Sequence, residues 1–479
     1  MCLCYNDSGE SCEGRCLATS VLNFAKLDTF HTGSRDGMTM TSNKPVERDA
    51  SVGLPGGTFR LRESLLCRAV VLSSLWLSLS CLLVFFAPSI RASDPLVEVF
   101  NERSPLPSEQ STAIQSPSLP PLLISFGVHG GYDDNSRTSS DSSGSFFSDQ
   151  QLALTYGRQR GPLDLRLFSG VGVVERFGQQ TDINAFVDLS TTYQASRRLT
   201  LAASINAAYR SEPDFSSDVG PDTRAGNYFK MTDSISAAYQ WRRRFSTVDS
   251  YVFRIVRYED SSTAFFTDRE EHTFGQEFRF VLNRSTVLVA DYRFLAVDYV
   301  SYPLDSLTSF GLVGVEHSFN PKLQGQLRAG GSFRSYEEGE DRVDPNFEGS
   351  LNYAFGRDGS LTWTTRYSVE EPAVREALTR TTFRTGVQLR YPITARISSA
   401  VGANYHHDEN EAGLPVAAIV GVPQTSFTSN AFDLILSLRY QINRHADIDL
   451  GYERSQVYST NGLEDYSRNR YSLGVNVTF

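Results

Sequence analysis

The chain has no cysteine after Cys81, although it runs to 479 residues. Its six cysteines are Cys2, Cys4, Cys12, Cys16, Cys67 and Cys81. The main body therefore has no disulfide framework and no cysteine nucleophile, which suits passage through an oxidising compartment. Lysine is almost missing too. Beyond residue 93 only Lys230 and Lys322 occur, and arginine carries the remaining positive charge. Tryptophan occurs three times, against 22 tyrosines and 31 phenylalanines. That aromatic bias favours strands. The net charge of −10 argues against nucleic acid as a partner. There is no GxSxG and no HExxH motif. His406, His407 and Asp408 would suit a hydrolase in a predicted loop, but no partner groups can be placed beside them. No enzyme activity and no cofactor are expected.

Long apolar runs are absent, with one exception. Residues 69–87, AVVLSSLWLSLSCLLVFFA, carry no charge. Arg60, Arg62 and Arg68 precede the run and PSIRAS follows it. A basic region, an apolar core and a small-residue exit predict a signal peptide core and cleavage region over 69–93, cut after Ala92 or Ser93. The other reading is a signal anchor, because the run is just long enough to span a bilayer. Serines within the run and Pro88 at its end favour cleavage. LLVFFA still follows Cys81, which argues against a lipoprotein site. A core beginning near residue 69 is late for a signal peptide. Residues 1–68 are therefore read as an overextended start plus the basic region, with translation beginning at Met38 or Met40. The cluster CLCYNDSGESCEGRC has no CxxC pair and no nearby His, so it does not read as zinc-binding. Residues 94–121 are rich in Pro and Ser and predict a disordered periplasmic leader.

Residues 122–479 have one texture. In NAFDLILSLRY, Phe432, Leu434, Leu436, Leu438 and Tyr440 share one face, and Asp433, Ser437 and Arg439 the other. HADIDLGYER, TTFRTGVQLRY and KLQGQLRA alternate in the same way. This is a period-two strand signal. The connections also alternate. Short ones are GRQRGP, ASRR, RRRF, NRS, NPK, GRDG, PITA and NRHA. Long, acidic, Ser-rich ones fall between them, such as SEPDFSSDVGPDTRAGN. The count predicts an all-β fold, a transmembrane antiparallel up-and-down β-barrel of about 18 strands. Each strand would be roughly ten residues, with both termini at the short-turn end. Tyr156, Tyr193, Tyr239, Trp241, Tyr391 and Tyr440 precede short turns. Tyr132, Phe177, Tyr209, Tyr258, Tyr336, Tyr367, Tyr405 and Tyr458 border long loops. Two aromatic girdles are expected from them. A soluble sandwich or propeller would alternate as well. The signal peptide, the missing cysteine, the loop asymmetry and the final strand favour a membrane barrel.

That final strand is YSLGVNVTF. Tyr471, Leu473, Val475, Val477 and Phe479 share one face. The pattern resembles the C-terminal assembly signal of bacterial outer-membrane β-barrel proteins, which implies recognition by the barrel-assembly machinery. GVHGGYDDNS, residues 127–136, resembles the first strand of the putative β-barrel porin type 2 family. The resemblance covers residues 122–479. It implies a place in a Gram-negative outer membrane, among outer-membrane lipid and lipopolysaccharide. For some members it also implies work beside polysaccharide export components. The acidic constriction-loop motif of trimeric general porins is not evident.

A barrel of this size encloses a lumen that single side chains cannot fill. The polar parity predicts lumen-facing Arg166, Glu277, Arg279, Asp291, Arg293, Arg328, Arg384, Arg390, Asp433, Arg439, Asp447, Asp449 and Glu453. Their mixed signs permit two readings. One is a ladder of cross-strand ion pairs that stabilises the wall. The other is a conduction path whose arginines grip carboxylates or phosphates on an acidic polysaccharide. The expected function is a porin-like channel, for passive solute passage or polysaccharide export. The alternative is a structural or adhesive surface barrel with a closed lumen and partner-binding loops. Acidic loops could also hold divalent cations, although solvated loops are the plainer reading.

Overall fold

The computed structural model describes residues 122–479, apart from 141–142, 180, 216–223, 225, 302–303, 337–340, 357, 373–376, 413–425 and 463–464. The expected extension, signal peptide and leader lie outside the described residues. The first nine strands are β1 (Leu122–Asp133), β2 (Ser145–Arg160), β3 (Leu163–Arg176), β4 (Asp182–Gln194), β5 (Leu199–Arg210), β6 (Tyr228–Arg242), β7 (Phe245–Tyr258), β8 (Arg269–Val281) and β9 (Thr286–Tyr299). The next nine are β10 (Ser306–Asn320), β11 (Leu323–Tyr336), β12 (Arg342–Phe355), β13 (Gly359–Glu370), β14 (Ala377–Pro392), β15 (Ile397–Ala412), β16 (Phe427–Asn443), β17 (Ala446–Ser459) and β18 (Tyr466–Thr478). A one-turn-plus helix, α1 (Ser261–Thr267), interrupts the connection between β7 and β8.

Every strand pairs antiparallel with its sequence neighbour, and β18 pairs with β1, so the 18-stranded sheet closes. All eight predicted short turns fall at strand junctions, for example 161–162 and 444–445. Local chemistry explains several of them. The Asn443 side chain accepts from the backbone N–H of His445 (2.7 Å) and Ala446 (3.0 Å). Asn320 does the same for Lys322, and Asn283 for Ser285. Ser196 and Thr394 use hydroxyls in this role. Short side chains that satisfy the next backbone donors favour tight turns over further strand.

The seam reaches the last residue. The Phe479 N–H donates to the Ile124 carbonyl at 2.9 Å, and the Ile124 N–H donates back at 3.2 Å. The GVHGGYDDNS segment has a physical role here. His129 of β1 reaches over Gly474 of β18, and its Nε2 lies 3.1 Å from Asp449 Oδ1 on β17. A Cβ on Gly474 would lie 1.9 Å from His129 Cδ2. Only glycine leaves room for that crossing.

The core is inverted relative to a soluble protein. Phe126, Ile235, Val313, Leu450 and Leu473 are exposed on the outer face. The four largest fully buried side chains are Arg269, Arg334, Arg380 and Arg468. A sandwich or propeller would bury the apolar parity instead. Carboxylates such as Asp233 and Asp249 break the outer rule. Asp233 shares its parity with exposed Ile235 and pairs in register with exposed Ile205. Asp249 accepts from Gln276 Nε2 at 2.9 Å, also on the outer face.

Three expectations need correction. The strands run from 12 to 17 residues rather than roughly ten. Pairing continues past the apolar band into the layer of long connections, where ion pairs replace lipid as cover. The second girdle loses two members. Tyr258 is buried with Tyr228 and Val256, and Tyr336 shares the inward parity of Arg334, whose guanidinium lies 5.8 Å from its ring. Finally, His406, His407 and Asp408 lie in β15 rather than in a loop. The histidines therefore point to opposite faces, and only His406 enters the lumen, where it is buried.

Candidate functional site

Strands β8 to β12 bring five of the expected lumen residues together. Arg279 lies 2.6 Å from Glu277 and also pairs with Glu316. Arg293 bridges Asp291 (2.5 Å) and Glu348 (2.8 Å). Arg328 reaches Glu277 at 2.8 Å and Asp291 at 3.1 Å. Glu316 and Glu348 were not singled out from the sequence, although they share the inward parity. This is a cross-strand ladder of alternating sign. Each arginine satisfies two carboxylates, which offsets the cost of holding charge away from bulk water.

The remaining expected residues are spread around the wall. Arg384 lies 3.1 Å from Glu370 and 3.4 Å from His406 Nδ1. Asp433 accepts from Ser455 at 2.9 Å. Arg439 lies 3.4 Å from Asp447. Asn476 donates to both Asp447 and Asp449. Glu453 lies 4.0 Å from Arg470. Arg166 pairs locally with Asp164 near the short-turn end, where it is half exposed. Arg390 sits in β14 in register with Ser360 and Ala400. The thirteen residues line a wall and do not converge on one point.

The convergence lies in a connection. Between β5 and β6, Glu212 and Phe215 reach strands that are not their ring neighbours. Phe215 is buried against Ala431, Val457 and Tyr466, and its ring centre lies 5.9 Å from that of His406. Glu212 pairs with Arg176 of β3 and lies 2.7 Å from Arg468 of β18. Arg468 also holds Asp133 of β1 at 2.5 Å. Arg224, in the same connection, lies 2.6 Å from Asp182 and donates to the Ser136 carbonyl at 2.7 Å. Its backbone N–H donates to the hydroxyl of Thr138, a β-branched residue held at φ 50°. Such a backbone persists only where its surroundings over-determine it. Burial raises the Glu212 carboxyl, but Arg468, Arg470, Arg176 and Arg224 outweigh burial and hold it well below the ordinary carboxylate range.

Glu371 and Pro372, just after β13, also contact inward side chains. Glu371 lies 2.9 Å from Arg334 of β11 and accepts from the Tyr299 hydroxyl of β9 at 2.8 Å. The Pro372 carbonyl accepts from Arg269 of β8 at 3.5 Å. The lumen is thus narrowed from two walls. A cavity of about 210 Å³ remains beside Pro213, Asp214 and Phe215, lined also by Asp149, Asp433 and Arg470. The sequence reading found no constriction-loop motif. The structure supplies an inward acidic connection nonetheless, built from SEPDF rather than from a recognisable pattern.

A closed barrel with a charged interior and inward loops matches one known family. The family model described as putative beta-barrel porin 2 fits residues 124–479. The chain belongs to this family. The porin 2 barrel lies in the outer membrane. OpdK from Pseudomonas aeruginosa is 10% identical, with 75% of this chain and 99% of that one covered at a TM-score of 0.39. OccAB4 from Acinetobacter baumannii is 11% identical, with 76% and 100% covered at 0.39. The siderophore receptor PirA from Acinetobacter baumannii is 7% identical, with 75% and 80% covered at 0.38. Overlays this loose say nothing about what the porin 2 barrel carries. No curated protein matches in sequence.

Proposed function

We propose that this porin 2 barrel is a passive channel for small polar solutes, narrowed by the Glu212–Phe215 stretch between β5 and β6. The observation that carries the proposal is the lumen itself. Its wall is lined by ion-paired side chains, and open space persists beside the Pro213–Phe215 stretch. Export of an acidic polysaccharide is the weaker reading. Arg279, Arg293 and Arg328 are already engaged by carboxylates, which leaves them little capacity to grip an anionic polymer. The outward, exposed Tyr471, Leu473, Val475 and Phe479 support a role for the last strand in recognition by the barrel-assembly machinery. Replacing Phe479 with Ala is then expected to slow accumulation of folded barrel.

Conductance of the protein extracted from outer membranes tests the channel. A heat-shifted gel band serves as the folding control. Discrete opening steps are expected. A folded barrel that stays silent would sink the channel reading and favour a closed surface barrel.

A further inference from the structure

The short-turn end carries a repeated pair of side chains. An exposed apolar residue ends the strand, and an exposed cation follows within a few positions. Tyr193 precedes Arg198, Trp241 precedes Arg243, and Leu282 precedes Arg284. Phe319 precedes Lys322, Ile393 precedes Arg396, and Ile442 precedes Arg444. None of these six cations makes an ion pair with a described residue. Side-chain bonds to the backbone hold five of these six turns. Ser196 and Thr394 accept from the backbone N–H of Arg198 and Arg396 themselves. Asn320 does so for Lys322. Asn443 holds the turn around Arg444, and Asn283 the turn around Arg284. The opposite end differs, because there the buried arginines Arg176, Arg380 and Arg468 are spent on carboxylates.

We propose that this rim is a binding ring for the phosphate groups of anionic phospholipid in the leaflet that meets the short turns. The apolar member of each pair sits at the acyl boundary, and the cation reaches the phosphate layer just beyond it. Arginine suits this role, since its fork matches phosphate oxygens. Repetition around the circumference matters more than any single contact, because it samples many headgroups at once. The ring depends on the barrel lying in a membrane and not on whether the lumen conducts.

The test uses protein purified from outer membranes and reconstituted in two kinds of vesicle. One is phosphatidylcholine alone, and the other is equal parts phosphatidylcholine and phosphatidylglycerol. The midpoint of heat conversion on gels is the readout. The midpoint is expected to rise with phosphatidylglycerol, and the rise to disappear in high salt. The combined variant Arg243→Gln, Arg284→Gln, Arg396→Gln and Arg444→Gln should lose most of that rise while keeping its midpoint in phosphatidylcholine. Arg444→Gln alone, which keeps the turn's Asn443 bonds, should lose a small part. An equal wild-type midpoint in both vesicles would overturn the proposal. So would a full rise in the combined variant. If inorganic phosphate with phosphatidylcholine vesicles gave the same rise, the ring would be a free-anion site and the lipid assignment would fall.

Discussion

The two ends of the barrel handle the same side chain in opposite ways. At the long-loop end, arginine is inward, buried and spent on carboxylates, as at Arg176, Arg468 and Arg380. In the short turns themselves, arginine is exposed, as at Arg243, Arg284 and Arg444. The first use builds a layer that closes over the lumen. The second leaves charge available to whatever surrounds the rim. Position along the strand, not residue type, decides between them. A guanidinium in a closing loop layer must find partners or lose its hydration uncompensated. One at a two-residue turn keeps its water.

That contrast can be broken most sharply at Arg468. Arg468→Ala takes the guanidinium from buried Asp133 and leaves Glu212 to Arg176, and a loss of about 3 kcal/mol is expected. Urea unfolding measured by tryptophan fluorescence would read it, and proteolysis within 211–227 should speed up. Loss of less than about 1 kcal/mol would mean that the cluster does not hold the connection. Gly474→Ala tests the seam. A methyl there meets the His129 ring, so a cost of about 1–3 kcal/mol is expected. The double change with His129→Ala should recover part of it.

Acid separates the two ends without mutation. The Glu212 carboxyl is held low in the folded state, so its contribution is complete at neutral pH. It fades as pH falls below the ordinary carboxylate value, beginning near about pH 4. Faster proteolysis of 211–227 is therefore expected under acid, while the arginine rim keeps its charge and its lipid dependence. If acid abolished the lipid dependence first, the division between the ends would be wrong. The smallest effect concerns the belt between them. Asp233→Leu removes a carboxylate from the lipid face and should stabilise the barrel by a fraction of a kcal/mol up to about 1 kcal/mol. Destabilisation would show that Asp233 has a partner in the membrane.

The barrel was legible because two simple rhythms run through the chain. Alternation sorted Phe432 from Asp433, and turn length sorted NRHA from the acidic connections. Parity also placed Arg328 and Asp291 inward. The clamp was not legible, because connections have no period. Glu212 and Arg468 are 256 residues apart, and nothing local marks them as partners. His406 was misplaced for a related reason, since HHDEN reads as a polar loop when its strand extends beyond the apolar band. The rim is different. ASRR, RRRF and NRHA mark turns by their length, and each also carries a cation of the proposed rim.

The bond between Ile124 and Phe479 has a kinetic meaning. Every other strand pair joins neighbours in sequence. The seam alone brings together residues such as Ser125 and Thr478, 353 positions apart. The largest single loop-closure cost in the sheet therefore falls on this one pairing. Until it happens the sheet has two raw edges, each able to accept a foreign strand. The most hazardous state of this protein is therefore one pairing short of native, and the time spent there is set by how quickly β18 finds β1.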